Sequence, residues 1–587
     1  MAMSNILKHL GRKEWMMISV ALVFIVIQVW FDLTMPEYMG NIMRLLTSGK
    51  PFTMDDVYYN GKYMILCVLG SLVTMIFVGY IASVVGASYA QRMRSKLFNK
   101  VDSFSMAEIN KFSTASLITR STNDVTQVQL LVVMGLQIMI KAPILAVWAM
   151  FKIYGEAYQW TLSIGIAIVA LLLLFAVLIV FVLPKFRKMQ KLIDNVNRVT
   201  RENLTGLPVV RAYNAKDHQE KKFEKANTEL TDTYLYTSRA LAVLWPAINL
   251  IMTGSVLAIY WIGAILINDA AGDPDGQGMI FANIAVFTTY SMLILISFMM
   301  IAMLFIMLPR AQVAAKRINE VLDTEQSIKD GNINEPDASK RGEVEFKNVS
   351  FRYPGAADNV LENINFTAER GKTTAFIGST GSGKTTLINL IPRFYDATEG
   401  SVSVNGIDVR DYKLDALYGK IGYVSQKPVL FSGTVSSNVA FGTAADDGGV
   451  RTALETAQGT DFVERMDGAY NADIARGGAN VSGGQKQRLS IARAIYKRPD
   501  IYIFDDSFSA LDYKTDRALR TALKKETEGA TTMIVAQRIG TIMDADKIIV
   551  LNEGRIVGEG THKELLRTCG VYKEIAMSQL SEEELAI

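Results

Sequence analysis

Six stretches of this chain, at about residues 15–35, 63–87, 130–151, 159–183, 241–267 and 280–308, are apolar enough and long enough to cross a bilayer, which takes ~20 residues of helix. Inside hydrocarbon every backbone N–H and C=O must be satisfied within the protein, so such segments fold as helices. Half of the 587 residues are hydrophobic. They concentrate before about residue 308, whereas the remainder has the mixed charge of a water-soluble domain. The chain therefore reads as a helical membrane domain over residues 1–323, a polar linker "TEQSIKDGNINEPDASKRG" at 324–342, and a soluble domain over 343–587.

Charge sets the orientation. "QRMRSKLFNK" after the second span and "PKFRKMQK" after the fourth are rich in Lys and Arg, while "NDAAGDPDGQG" between the fifth and sixth has none. Basic loops stay on the cytoplasmic side, which places the N-terminus, the connections at 88–129 and 184–240, and the C-terminal domain there. The expected location is the plasma membrane, multi-pass. Lys8, Arg12 and Lys13 resemble the start of a signal peptide, but the apolar run after them is too long and no small-residue cleavage site follows, so the first span is read as retained. The cytoplasmic connections keep helical spacing, as at Val196, Val199, Leu204 and Leu207, so the spans should continue as helices beyond the membrane. A net charge of +3 from 61 basic and 58 acidic residues suggests no nucleic-acid partner, and membrane lipids are the expected surroundings. Cys67 and Cys569 form no disulfide framework or metal cluster and are expected to be inert.

From Gly342 the pattern changes to alternating strands ("GEVEFKNVSFRY", "VLENINFTA") and then to strands alternating with helices, the order of an α/β domain. "GSTGSGKTT" follows the apolar strand "TTAFI" and precedes the helix "LINLI". Its residues Gly378, Ser379, Thr380, Gly381, Ser382, Gly383, Lys384, Thr385 and Thr386 match a phosphate-binding loop in the strand–loop–helix setting that gives the motif its meaning. Glycines let backbone N–H groups close around phosphate, Lys384 reaches the outer phosphates, and Thr385 can ligate magnesium. ATP and Mg2+ are the implied ligands.

About a hundred residues later, "VSGGQKQRLSIARAIYKRPDIYIFDD" puts a second Gly-rich helix start just before an apolar strand ending in two acids. Together these motifs resemble the nucleotide-binding domain of ATP-binding-cassette transporters, and the six spans resemble the membrane half of the exporter type. The resemblance implies a six-helix α-helical transmembrane domain fused to an α/β P-loop nucleotide-binding domain. It further implies that Tyr353 stacks on adenine, that Gln426 senses magnesium and the membrane domain, and that Asp505 holds the magnesium shell with Thr385. Ser482, Gly483, Gly484 and Gln485 would clamp the γ-phosphate of a nucleotide on the opposite domain of a head-to-tail pair, with Asp512 between the two sites.

Two positions depart from the family. Asp506 stands where a catalytic Glu is expected, and "IVAQRIGTI" puts Gln537 where the family has His. Asp and Glu differ by only ~0.4 units in reference pKa, so reach is what matters. Asp is one methylene shorter, and a misplacement of ~1 Å can cost about a hundredfold in rate. Gln537, a neutral amide, lacks the cationic and tautomeric contacts of an imidazole. With the phosphate loop and signature complete, the resemblance is to the degenerate-site half of a heterodimeric bacterial exporter, its partner a homologous half-transporter bearing the catalytic Glu. Hydrolysis by the chain alone should be weak. The expected cargo is an amphipathic drug-like molecule; the alternatives are a lipid or peptide exporter half, or a regulatory ATP-binding subunit gating its partner.

By the same resemblance, turns at 112–124 and 211–222 would couple the two domains, the second by docking on the partner. Within the spans, Met299, Met300, Met303 and Met307 read either as ordinary packing or as an adaptable binding wall. Lys141, beside Pro143, is an intramembrane charge expected to face a partly hydrated cavity, and Asp32 is read as touching headgroups.

Overall fold

The computed structural model describes residues 10–47, 51–154, 158–334 and 340–580. Its contacts divide into two compact units, residues 1–102 with 115–324, and residues 103–114 with 325–587.

Among the described residues, six helices are long and apolar enough to cross a membrane. They run Arg12–Thr47, Met54–Asp102, Thr114–Ile153, Tyr158–Thr205, Lys216–Asp269 and Pro274–Leu322. Lys8 lies outside the described residues. At 1.5 Å per residue the 54-residue fifth helix is roughly 80 Å long, against ~30 Å of hydrocarbon, so it continues far past the membrane, as its polar first half requires. No more than 31% of any helix's most apolar stretch is buried within the unit; the other faces suit lipid or a partner. Small residues and hydroxyls set the close approaches: a Cβ on Gly263 would sit 2.5 Å from Ile284, Ser255 and Ser291 share a hydrogen bond, and the Tyr290 hydroxyl donates to the Leu33 carbonyl. Met299 packs against a cluster drawn from the fourth, fifth and sixth spans, and Met303 is exposed. Cys67 and Cys569 are free and buried.

The third span is not a continuous α-helix. It contains π-helical segments at Arg120–Asp124 and Gly135–Met139, and Lys141 begins its last helical piece. Lys141 forms an ion pair with Asp32 at 3.0 Å. Asp32, read from the sequence as a headgroup contact, is the counterion of Lys141, with its side chain 19% exposed.

In the second unit the strands run β1 Val344–Phe351, β2 Leu361–Ala368, β3 Thr373–Gly378, β4 Glu399–Val404, β5 Ile407–Asp408, β6 Ile421–Val424, β7 Gly433–Thr434, β8 Asp473–Ile474, β9 Ile501–Asp505, β10 Thr531–Val535, β11 Lys547–Asn552 and β12 Arg555–Gly560. A six-stranded sheet has the order β12-β11-β3-β10-β9-β6, and a four-stranded sheet β2-β1-β4-β5. Within the larger sheet β6, β9, β10, β3 and β11 are parallel, and only the edge strand β12 is antiparallel. Such a sheet is covered on both faces. Alternation along each strand divides the side chains between two cores: Tyr502 and Phe504 of β9 join one, Ile501 and Ile503 the other. β11 divides likewise, Ile548 and Val550 against Ile549 and Leu551. Register then decides function. Val535 pairs with both Asp505 and Phe376, so the loops after β3, β9 and β10 leave the sheet at one level.

Two segments differ from the sequence reading. Residues 331–333 of the supposed linker are tied to the second unit: Ile333 bridges Tyr412, and the Gly331 amide donates to the Tyr412 carbonyl. A Cβ on Gly331 would come within 2.3 Å of the Asp411 backbone, which explains the glycine. The other difference is that the connection grouped with the second unit is 103–114, which meets the turn read from the sequence, 112–124, at residues 112–114. A short helix, Met106–Phe112, starts there with a capping box in which Ser105 and Glu108 satisfy each other's backbone N–H, and ends at Ser113 with φ 59. Residues from 115 onward belong to the third span.

Candidate functional site

The loop after β3 is shaped by close approach. A Cβ on Gly378 would lie 2.0 Å from the Leu551 carbonyl oxygen, and one on Gly383, where φ is +96, would lie 2.7 Å from Leu361. Only glycine fits either place, and the bare backbone leaves amides open to an anion. Lys384 spans the loop, donating to the carbonyls of Gly378 at 2.9 Å and Ser379 at 2.8 Å and to the Ser382 hydroxyl at 3.3 Å. Burial lowers its pKa from the ordinary lysine value, and the charges of Asp506 and Asp505 partly restore it.

Thr385 donates to Asp505 Oδ1 at 3.0 Å. This hydroxyl and carboxylate are hard oxygen donors standing side by side. No group of three or more His, Cys, Asp or Glu residues suited to a metal occurs among the described residues. The adjacent hydroxyl and carboxylate fit Mg2+, which takes one or two carboxylates plus substrate phosphates.

Asp505 is 2% exposed, and burial lifts its carboxyl above the usual range, reinforced by the charge of Asp506 and opposed by Thr385 and Lys384. A folded value above the unfolded ~3.9 adds stability that is complete below that pH and is lost as pH rises through the folded value. At neutral pH the buried ionised acid is thus a cost that Asn does not carry. Asp505→Asn is expected to raise the melting temperature of the nucleotide-free protein at pH 7.5. The gain should shrink toward pH 4, and the stabilisation by MgATP should be lost. Scanning calorimetry at several pH values, with and without MgATP, checks this.

Asp506 follows with φ +47, a left-handed backbone that Asp tolerates better than most residues. Its Oδ2 accepts from Gln537 Nε2 at 2.9 Å and from Gln426 Nε2 at 3.2 Å. One carboxylate oxygen is therefore held between two neutral amides contributed by the loops after β6 and β10. Gln579, from the C-terminal end, fixes the Gln537 turn by donating to the Gln537 carbonyl and accepting from the Ile539 amide, each at 2.8 Å.

Tyr353 is wedged edge-on between Phe351 and Tyr395, with ring centroids 4.9 and 5.2 Å away, and its hydroxyl hydrogen-bonds Thr386 at 3.0 Å. Tyr395 in turn accepts from Asn110 of the short helix at 3.1 Å. Sequence reasoning missed Asn110, Tyr395 and Gln579. The capping signature at Ser105 and Glu108 was the available signal for the first; the other two are tertiary.

Ser482, Gly483, Gly484 and Gln485 lie apart from this cluster, at the start of the helix Gly483–Lys497. Ser482 caps it, bonding the Gln485 amide, while the Gln485 side chain returns to the Ser482 amide. Ser482 and Gly483 are exposed. A Cβ on Gly483 would meet nothing within 4 Å, so nothing in its own chain requires that glycine. Asp512 is occupied as the N-cap of the helix Tyr513–Glu526, bonding the Thr515 amide at 3.0 Å.

Two family models match the chain, "ABC transporter transmembrane region" over residues 18–298 and "ABC transporter" over residues 361–509. An uncharacterized ABC transporter ATP-binding protein of Mycobacterium tuberculosis is 41% identical over 522 residues, covering 88% of this chain and 87% of the relative. The uncharacterized ABC transporter ATP-binding protein YfiB of Bacillus subtilis is 33% identical, covering 96% of each. The ATP-dependent lipid A-core flippase of Pseudomonas fluorescens is 29% identical over 93% of this chain and 89% of its own. In fold, the chain is similar to a bacterial Atm1-family ABC exporter with ATP bound, with a TM-score of 0.77 at 22% identity, over 96% of this chain and 98% of that one.

Proposed function

The chain belongs to the ABC transporter family, and on that footing we propose that it is the degenerate-site half of a heterodimeric exporter that moves amphipathic compounds. It is a multi-pass membrane protein with an ABC-type ATPase domain on the cytoplasmic side. The observation that carries the proposal is the Asp506 carboxylate held between the amides of Gln426 and Gln537. A base must face water. Here its oxygen is turned to two protein donors, it is one methylene short, and the position that needs an imidazole holds the amide that binds it.

The binding parts are whole. The loop Gly378–Thr386 would cradle the phosphates with Lys384 over them, Tyr353 would stack on adenine, and Thr385, Asp505 and Gln426 would hold Mg2+, which when bound neutralises charge on the phosphates. Ser482, Gly483, Gly484 and Gln485 would complete the site on the partner chain, whose Glu does the work. The turn after Leu207–Ala212, where Tyr213 is 81% exposed, would dock on that partner. A second reading, a lipid-exporting half, is favoured by the likeness to lipid A-core flippases.

The test is steady-state hydrolysis by the full chain in nanodiscs. Turnover of the chain alone near the typical enzymatic ~1–1000 s−1 would overturn the asymmetry. A further expected result is that Lys384→Ala weakens nucleotide trapping at this site about tenfold, as befits loss of a charged hydrogen bond, and lowers transport without stopping hydrolysis by the assembled pair.

A further inference from the structure

Asp32 and Lys141 meet where two helices are both interrupted. Pro36, inside the first helix, has no N–H, so the carbonyl of Asp32 four residues earlier lacks its helical donor. In the third span the π segment Gly135–Met139 ends just before Lys141, and Pro143 likewise leaves the Met139 carbonyl without one. Irregular backbone at membrane depth persists where it is buried in protein or lines a cavity, and π-helical turns gather at functional sites. A cavity of about 290 Å3 is present here, lined among others by Phe31, Asp32, Met35, Ser71, Thr289 and Leu293, near the lower end of ligand pockets at ~300 Å3. Lys141 is not among its lining residues; it reaches Asp32 Oδ2 at 3.0 Å. Ser71 donates to the other oxygen at 2.5 Å. A carboxylate offers about four acceptor positions, so two remain beyond these partners. The rest of the wall is largely apolar, with Pro36, Val68 and Leu293, and adds the Phe31 ring and the Met35 thioether as soft contacts for a cation.

We propose that this cavity is a binding site for an ammonium group carried on an apolar body, with Asp32 as its counterion, Ser71 orienting the carboxylate, and Lys141 as the resident cation that the ligand displaces or shares. Unliganded, Lys141 keeps Asp32 from standing as an unpaired charge in the membrane, where such a group is costly. The proposal rests on the reading of the chain as an exporter half and supplies its substrate chemistry. A lipophilic amine drug and an aminophospholipid both carry this group.

The test uses the full chain in nanodiscs without nucleotide, so its outcome is independent of the hydrolytic asymmetry. One arm measures a dansyl-labelled alkylamine, a fluorescent dye with a protonated primary amine, by fluorescence anisotropy; the other measures acyl-labelled phosphatidylethanolamine, with phosphatidylglycerol of the same chains as control. Asp32→Asn is expected to weaken binding at least tenfold. Lys141→Gln, which frees Asp32, is expected to strengthen it several-fold. The swap Asp32→Lys with Lys141→Asp keeps an ion pair and the melting temperature but should lose the cation, and it decides the matter if Lys141→Gln does not fold. Response in the dye arm assigns the site to amine drugs, and in the lipid arm to aminophospholipids. Binding of neither probe, binding indifferent to Asp32→Asn, or a fall in Lys141→Gln parallel to that in Asp32→Asn would overturn the proposal, the last by marking the pair as a structural staple.

Discussion

Replacing Asp506 by Glu and Gln537 by His together is expected to raise ATP hydrolysis by the purified chain about a hundredfold, the rate that a ~1 Å correction in placement is worth. Glu adds the missing methylene, and removal of the Gln537 amide frees the oxygen it now binds at 2.9 Å. Histidine then offers a donor that can carry charge near neutral pH. The chain already has an intact phosphate loop and signature, so a self-paired chain would have two complete sites. The left-handed backbone at position 506, φ +47, makes Glu dearer than Asp by roughly 1 kcal/mol, too little to unfold the protein. Gln537→His alone should do little, since the carboxylate stays too short. A double variant no faster than the wild type would show that Asp506 and Gln537 do not limit the rate.

In the assembled pair, Gly483→Asp in this chain is expected to reduce hydrolysis a hundredfold or more, while Asp506→Asn changes it by less than about twofold. The contrast follows from where each side chain points. A Cβ at Gly483 meets nothing in its own chain, so the substitution should leave the melting temperature unchanged, yet a carboxylate there would face the γ-phosphate of a nucleotide on the partner. Removing one well-placed donor to such an oxyanion costs ~10²–10³ in rate, and a repelling charge should cost at least as much. On the proposed reading, Asp506 belongs to the site that does not turn over. Rates and melting temperatures of both variants decide it: if Asp506→Asn proved the more damaging, the crosswise assignment would fail.

The phosphate loop and the capped helix at Ser482 were legible because each is a local device. A glycine at a crowded turn, or a Ser-x-x-Gln pair closing on its own helix, is specified within a few residues. The same locality could have revealed Ser105 and Glu108, whose capping box announces the helix Met106–Phe112, an element absent from the sequence reading. Gln579 could not be found that way. It stands 42 residues from the Gln537 carbonyl it holds, and no periodicity connects them.

Hydropathy alone determined that six segments cross a membrane, because hydrocarbon tolerates no unsatisfied backbone and the lengths required are long enough to be unmistakable. Motif spacing alone determined the phosphate loop, and the substitutions Asp506 and Gln537 were visible as single letters. Only the tertiary structure decided what those letters touch. Parallel register brings β3, β9 and β10 to one level, and the loops that follow bring two amides onto one carboxylate oxygen. Helix packing made Asp32, read as a headgroup contact, the partner of a lysine 109 residues away. A charge in a low-dielectric interior must find its opposite, and which opposite it finds depends on three-dimensional proximity, which sequence distance does not encode.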